Sequence, residues 1–285
     1  MRWVVVGAAG MLGRDVVARL RQGDDDVVGL DRAGLDITSP QACADALVGA
    51  DVVVNCAAYT AVDDAETHEA EAFTTNAVGP ATLARAAASA GVRLVQISTD
   101  YVFDGRASTP YGEDAPQAPR GAYGRTKAAG EWAVAASGGD HLVVRTAWLY
   151  GAHGSSFPRT IARVARERGA LDVVDDQRGQ PTWTVDVADV VARLVAARAP
   201  RGTYHATSSG ETTWFGFAQA VVAAAGLDPA IVASTTSEKF VRPAPRPAYS
   251  VLGHGALRSV GVAPIGDWRG RWEAAAAAVL GQEES

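Results

Sequence analysis

Tyr123 and Lys127 stand four residues apart in the stretch YGRTKAAGEW. On a helix that spacing puts both side chains on one face. An ammonium beside a phenol favours the phenolate and draws its pKa down from about 10. A phenol poised in this way gives a proton to a carbonyl oxygen as hydride arrives, or takes one back in reverse; the lysine can also hold a ribose. Taken alone, a tyrosine and a lysine at this spacing are a common accident of a helix surface. Upstream, RLVQISTDYVFDG begins as an apolar run and turns polar at Ser98, Thr99 and Asp100. Ligands bind beyond the carboxyl ends of such strands. Thr99 is therefore placed to hydrogen-bond the oxygen that Tyr123 protonates, the alternative being a Thr-Asp turn that satisfies its own backbone. Past the lysine, Glu131 reads as a helix-surface charge and Trp132 as a packing residue.

These groups need a scaffold, and the chain alternates strand and helix signals. RWVVVGA, DVVGLD, ADVVVNCAA, RLVQIST and DHLVVRTAWLYG are apolar runs of the kind buried on both faces of a parallel sheet. Between them lie helical stretches: GRDVVARLRQG, SPQACADALVG with Ser39 as N-cap and Pro40 in the first turn, and a long one from about Val62 through NAVGPATLARAAASAG. The pattern predicts an α/β fold, a Rossmann-type doubly wound parallel sheet. Past Gly151 the regularity weakens, and a smaller, discontinuous C-terminal lobe is expected. The expected division is 1–150 for the dinucleotide-binding domain, with a segment near 183–206 returning to it, and 151–285 mainly for a substrate-binding lobe.

GAAGMLG places Gly7, Gly10 and Gly13 directly after the first strand and at the head of a helix. Gly7 can make the tight turn, Gly10 lets backbone approach a pyrophosphate, and Gly13 lets helix and strand pack closely. The helix N-terminus offers unpaired N–H groups to the phosphates. At the end of the second strand Asp31 can accept from a ribose 2′-OH, which favours NAD, while Arg32 can pair with a 2′-phosphate, which favours NADP. Both cofactors stay open on this ground. The dispersed C-terminal cations Lys239, Arg242 and Arg246 either clamp a ligand diphosphate or form a solvated loop. His205 reads as a strand residue rather than a base.

Composition excludes several classes. The chain has 285 residues, 48% of them hydrophobic, a net charge of −6 and only two cysteines. That is enough for a large core, and it carries no basic field for nucleic acid. Cys43 and Cys56 suggest neither a disulfide framework nor a zinc spacing. No apolar run approaches the roughly 20 residues of a membrane span. A cytoplasmic protein without membrane or nucleic-acid partners is expected.

In this order, GAAGMLG, NCAAYTAVD, STDYVFDG, YGRTKAAGE and RTAWLYG resemble the extended short-chain dehydrogenases/reductases, over nearly the whole chain. Within that family the likeness is greatest to reductases of dTDP-linked 4-keto-6-deoxy sugars. The resemblance implies a catalytic triad of Thr99, Tyr123 and Lys127, with Tyr123 as proton donor. It implies cofactor contacts at Gly10, Met11 and Leu12 of the phosphate loop, at Asp31, Asp36 and Ile37 on the adenosine side, and at Ala57, Ala58 and Tyr59 in the loop after the fourth strand. It also implies sugar-nucleotide contacts from Thr99, Asp100 and Trp148, and a relay or structural role for Asn76. The cofactor would be NADPH or NADH, the substrate a dTDP-4-ketosugar, and the assembly a monomer or homodimer. Tyr59 departs from the histidine expected there. Acidic residues tied to magnesium in some relatives find no match, so no metal is expected. Two rivals remain: a reductase of another nucleoside-diphosphate 4-ketosugar, and a non-catalytic regulatory subunit, which would carry a broken Tyr/Lys pair.

Overall fold

In the computed structural model, which describes residues 1–281, the first apolar run forms β1 (Arg2–Val6). It is followed by α1 (Met11–Leu20), β2 (Asp26–Leu30), α2 (Pro40–Ala46), β3 (Val52–Asn55), α3 (Glu69–Phe73), α4 (Gly79–Ala90), β4 (Arg93–Thr99), α5 (Ala122–Ala136) and β5 (His141–Thr146). Five of the strands pair in parallel in the order β5-β4-β3-β1-β2, and β10 (Gly202–His205) adds to the β5 edge, also parallel. Order reverses between β1 and β3, which opens the ligand crevice at their carboxyl ends. The strands are buried on both faces, with Val4, Val5, Val53, Val54 and Val144 fully covered. One face packs against α1 and α7 (Thr184–Ala196), the other against α2 and α4.

Ser39 caps α2 as expected, its Oγ accepting from the Ala42 amide at 3.3 Å. The long helical stretch after Val62 is instead broken. A single π turn, Thr74–Val78, separates α3 from α4. Pro80 has no N–H to offer the Asn76 carbonyl, so the α-helical ladder widens there. The loop expected after a fourth strand follows β3, the third. The segment between β2 and α2 is spent on turns capped by their own carboxylates: Asp31 accepts from the amides of Ala33 and Gly34, and Asp36 from Thr38. No strand forms in that segment.

Beyond β5 come β6 (Leu149–Tyr150), α6 (Phe157–Arg168), β7 (Leu171–Val174), β8 (Arg178–Gly179) and β9 (Thr182–Trp183). After α7 and β10 come β11 (Thr212–Thr213), α8 (Trp214–Ala224), β12 (Val232–Thr235), α9 (Gly255–Ser259) and α10 (Trp268–Leu280). A second core gathers Tyr150, Phe217, Trp268 and Trp272 from β6, α8 and α10. Its ladders are pairs of short strands: β6 with β9, β7 with β12, and β8 with β11. The proline-rich 237–250 segment carries no helix or strand. Residues 282–285 of the expected lobe lie outside the described residues.

The helix-surface reading of Glu131 and the packing reading of Trp132 are both reversed. Glu131 is 4% exposed and Trp132 is 61% exposed. Tyr123, Lys127 and Glu131 fall at i, i+4 and i+8, so they share one inward stripe of α5, and Trp132 falls on the opposite side.

Candidate active site

Gly7 adopts φ +75°, and a Cβ on it would lie 2.6 Å from the Ala57 amide nitrogen. Only glycine can turn there. At Gly13 a Cβ would meet the Gly7 carbonyl oxygen at 2.2 Å, so the first turn of α1 can press onto the strand end only without a side chain. Gly10 stands as the residue before α1 and leaves the helix N-terminus uncovered by any capping side chain. That combination of bare amides and close-packed backbone fits a pyrophosphate.

Two clefts meet at this loop. One, of about 640 Å³, is lined by Gly7, Gly10, Asp31, Arg32, Asp36, Ile37, Ala57, Ala58 and Tyr59. The other, of about 420 Å³, is lined by Gly10, Met11, Leu12 and Gly13 together with Thr99, Asp100, Tyr123, Lys127 and Trp148. Gly10, Cys56 and Ala58 line both, so they form one groove. The expected triad, glycine-turn, adenosine-side, Tyr59-loop and sugar-contact residues all border this groove; Lys239, Arg242 and Arg246 do not. Residue-type reasoning missed Thr60, Val62, Tyr101 and Thr146 of the second cleft. Thr60 and Val62 continue the loop past Tyr59, and Thr146 ends β5 beside Thr99, its register partner.

Asn76 fixes the Tyr59 loop. Its Oδ1 accepts from the Tyr59 amide at 2.8 Å, and its Nδ2 donates to the Tyr59 carbonyl and to Thr126 Oγ1, both at 3.1 Å. The π turn thus ties the cofactor-side loop to α5. Tyr59 also donates its hydroxyl to Asp64.

Thr99 closes β4. Its Oγ1 donates to Asp100 Oδ1 at 2.9 Å and accepts from the Tyr101 amide at 3.2 Å. Burial pushes the Asp100 carboxyl up to about 6, with Ser250 and Thr99 nearby opposing the rise. Tyr123, half-buried in the first turn of α5, sits edge-on to Tyr101 at 5.5 Å. Desolvation pushes its phenol up to about 12, Thr99 pulls it down and the Asp100 charge adds to the rise. Lys127 contributes no depression of the phenol: its Nζ turns to the Ile97 carbonyl at 2.7 Å. Burial lowers Lys127 to about 8, opposed by Glu131 and Cys56. The sequence expectation that the lysine acidifies the phenol does not describe this state of the site.

Ser98 Oγ, Asp100 Oδ2 and Thr146 Oγ1 are buried with no hydrogen-bond partner, and all three residues line the second cleft. Interiors leave few such groups unpaired. Three together at adjoining strand ends fit a ligand rich in hydroxyl or amide groups. Among the expected diphosphate cations, Arg246 is paired with Asp63 at 2.8 Å, and Arg242 lies over the Phe240 ring. His205 is buried in β10, bonded to the Gly253 carbonyl at 2.8 Å, and burial holds it down at about 3, so it is no base at neutral pH. Among the described residues no group of His, Cys, Asp and Glu side chains gathers as a metal site.

The doubly wound sheet, the glycine turn at its switch point and the phenol-ammonium-hydroxyl set in the groove define a nucleotide-dependent oxidoreductase of the Rossmann type. More narrowly, the chain belongs to the RmlD substrate binding domain family, whose sequence model matches residues 1–280. It is 52% identical to a probable dTDP-4,6-dihydroxy-2-methyloxan-3-one 4-ketoreductase of Streptomyces antibioticus, over 94% of this chain and 92% of that protein. It is 48% identical to a dTDP-4-dehydrorhamnose reductase of Streptomyces griseus, over 94% and 90%. Its fold matches the crystal structure of dTDP-4-dehydrorhamnose reductase from Bacillus anthracis in complex with NADP, with a TM-score of 0.92, 35% identity and coverage of 96% and 98%.

Proposed function

We propose that this chain reduces the 4-keto group of dTDP-4-dehydro-6-deoxy-L-mannose (dTDP-4-dehydrorhamnose) to dTDP-L-rhamnose, using NADPH or NADH. The observation that carries the reading is the groove itself. It joins a dinucleotide-binding glycine turn to a phenol and to three unpaired polar atoms suited to a sugar. Relatives named for this reaction, one of them holding NADP, support the substrate and the cofactor. A cytoplasmic enzyme, monomeric or homodimeric, is part of the same proposal; among the described residues no helix is long and apolar enough to cross a membrane.

The bound dinucleotide supplies the hydride that reaches C4. The protein supplies the proton and the positioning. A phenol at about 12 is fully protonated at neutral pH, so Tyr123 stands ready as the acid for the developing alkoxide. Asp100 accepts the Thr99 hydrogen, so Thr99 holds the same oxygen in line by turning that hydrogen from Asp100 to the substrate. Lys127 supplies positive charge on the cofactor side of the phenol. Its ammonium is lost as pH rises through about 8. The profile of kcat/KM, which reports the free enzyme, is therefore expected to fall on an alkaline limb near that value. Lys127→Met should remove this limb along with most of the activity. A wild-type profile flat to pH 10 would mean that the lysine charge plays no part.

A second reading is favoured by the first relative above, a 4-ketoreductase of a different dTDP-linked sugar at slightly higher identity. An NAD(P)H-oxidation assay over dTDP-, UDP- and GDP-4-ketosugars separates the two. Preference for dTDP-4-dehydrorhamnose is expected. Preference for another dTDP-ketosugar would transfer the chain to the second reading, and no turnover of any would leave a non-catalytic relative.

A further inference from the structure

We infer that Trp214 and Gly179 are positioning residues that set the Trp148 indole as a wall of the sugar subsite; this rests on the ketosugar reading above. Trp148 links β5 to β6 with φ +47°, a left-handed conformation that a bulky residue rarely adopts. Nothing local requires it, so the surroundings must hold it. One face of its ring lies on Trp214, with centroids 3.6 Å apart and planes within 6°. Phe157 backs Trp214 in turn, at 4.4 Å. Gly179 sits against the indole so closely that an added Cβ would fall 2.3 Å from Cε2. Gly179 has no positive φ, so it is the ring and not the backbone that demands glycine there.

Both jaws ride on one ribbon. β8 carries Gly179, which pairs with Thr212 of β11, and α8 begins with Trp214 directly after β11. Thr213 locks that junction, accepting from the Gly216 amide and donating to Asp175. Trp148 is rooted beside the catalytic sheet and lines the cleft with Thr99 and Tyr123. The second core thus reaches the reaction centre through one clamped ring. Indoles offer a large rigid apolar surface, and what Trp214 and Gly179 leave uncovered of this one borders the cleft of Thr99 and Tyr123.

The test compares wild type with Trp214→Leu, Trp214→Phe and Gly179→Ala. Three quantities are read: KM and kcat for the ketosugar that the wild type prefers, NAD(P)H affinity by fluorescence, and the exciton couplet of stacked indoles in the far-UV circular dichroism spectrum. Trp214→Leu is expected to abolish the couplet and raise the sugar KM about tenfold, with kcat and dinucleotide affinity nearly unchanged, the pattern of lost uniform binding. Trp214→Phe should keep most of the sugar affinity, because a ring still stacks. Gly179→Ala should weaken both the couplet and sugar binding, since its methyl displaces the indole. A Trp214→Leu enzyme with no couplet and an unchanged sugar KM would overturn the inference alone. So would equal loss of sugar and dinucleotide affinity, which marks general loosening. A wild type inactive on every ketosugar would overturn the substrate reading and this inference with it.

Discussion

Tyr123→Phe is expected to lower kcat for ketosugar reduction by about 10²- to 10⁴-fold, the usual contribution of a positioned acid. The substitution removes one oxygen and keeps the ring, so the edge-on contact with Tyr101 at 5.5 Å survives. The glycine turn, Asp31 and the Tyr59 loop lie along the other half of the groove, so dinucleotide affinity should change by less than about threefold, within the scatter of surface substitutions. Tyr101, the other phenol lining the cleft, lies edge-on beside Tyr123 at 5.5 Å and not at its position. Thr99 has its hydrogen committed to Asp100, and Lys127 has its ammonium on the Ile97 carbonyl. Asp100 is the group best able to compensate, because burial raises it to about 6 and it carries a proton in acid. Any residual rate in the phenylalanine variant should therefore grow as pH falls below about 6. Turnover within a few-fold of wild type at neutral pH would remove Tyr123 from the reaction.

The fold was legible where burial is two-sided and local. β1, β3, β4 and β5 are continuous apolar runs because helices cover both faces of the sheet, and the glycine turn is readable because close backbone approach admits no substitute. That Thr99, Tyr123 and Lys127 meet in one cleft was legible because their spacing, i and i+4 after a strand that turns polar, is itself geometric. Legibility failed in three physical circumstances. The π turn follows from one absent amide at Pro80, which helical periodicity does not register. The ladders of the second core are strands of two to four residues whose partners lie far along the chain, so no period-2 pattern develops. The Trp148 clamp depends on residues 179 and 214, which nothing in the local sequence joins to 148. Glu131 and Trp132 are different, because the information was present. Read by residue type, the charge belongs outside and the indole inside. Read by phase from Tyr123 and Lys127, the glutamate must point inward.

That inward glutamate yields the largest expected effect on stability. Glu131 and Arg145 are each about 4% exposed, and the Arg145 guanidinium donates to both carboxylate oxygens, with Nη2 at 2.8 Å and Nε at 3.0 and 3.2 Å. Gln117 donates to the same carboxylate, and Arg145 Nη1 donates to the Glu113 carbonyl at 3.1 Å. Phe103 stacks on the guanidinium at 4.9 Å. Glu131→Ala would leave a buried, unpaired cation beside a neutral His205, and breaking such a pair costs about 3–5 kcal/mol. For a chain of this size that corresponds to a fall in melting temperature on the order of 10 °C. Replacing both partners, Glu131→Leu with Arg145→Met, should recover most of the loss, because an apolar pair carries no desolvation cost. The same carboxylate supports the charge on Lys127, one turn away. Its removal lowers the lysine further, so the alkaline limb of the Glu131→Gln enzyme should move to lower pH than that of wild type, under conditions where the variant is folded. A Glu131→Ala protein melting within 1 °C of wild type would show that solvent or a rearranged partner already satisfies Arg145, and that the buried pair does not hold α5 against the sheet.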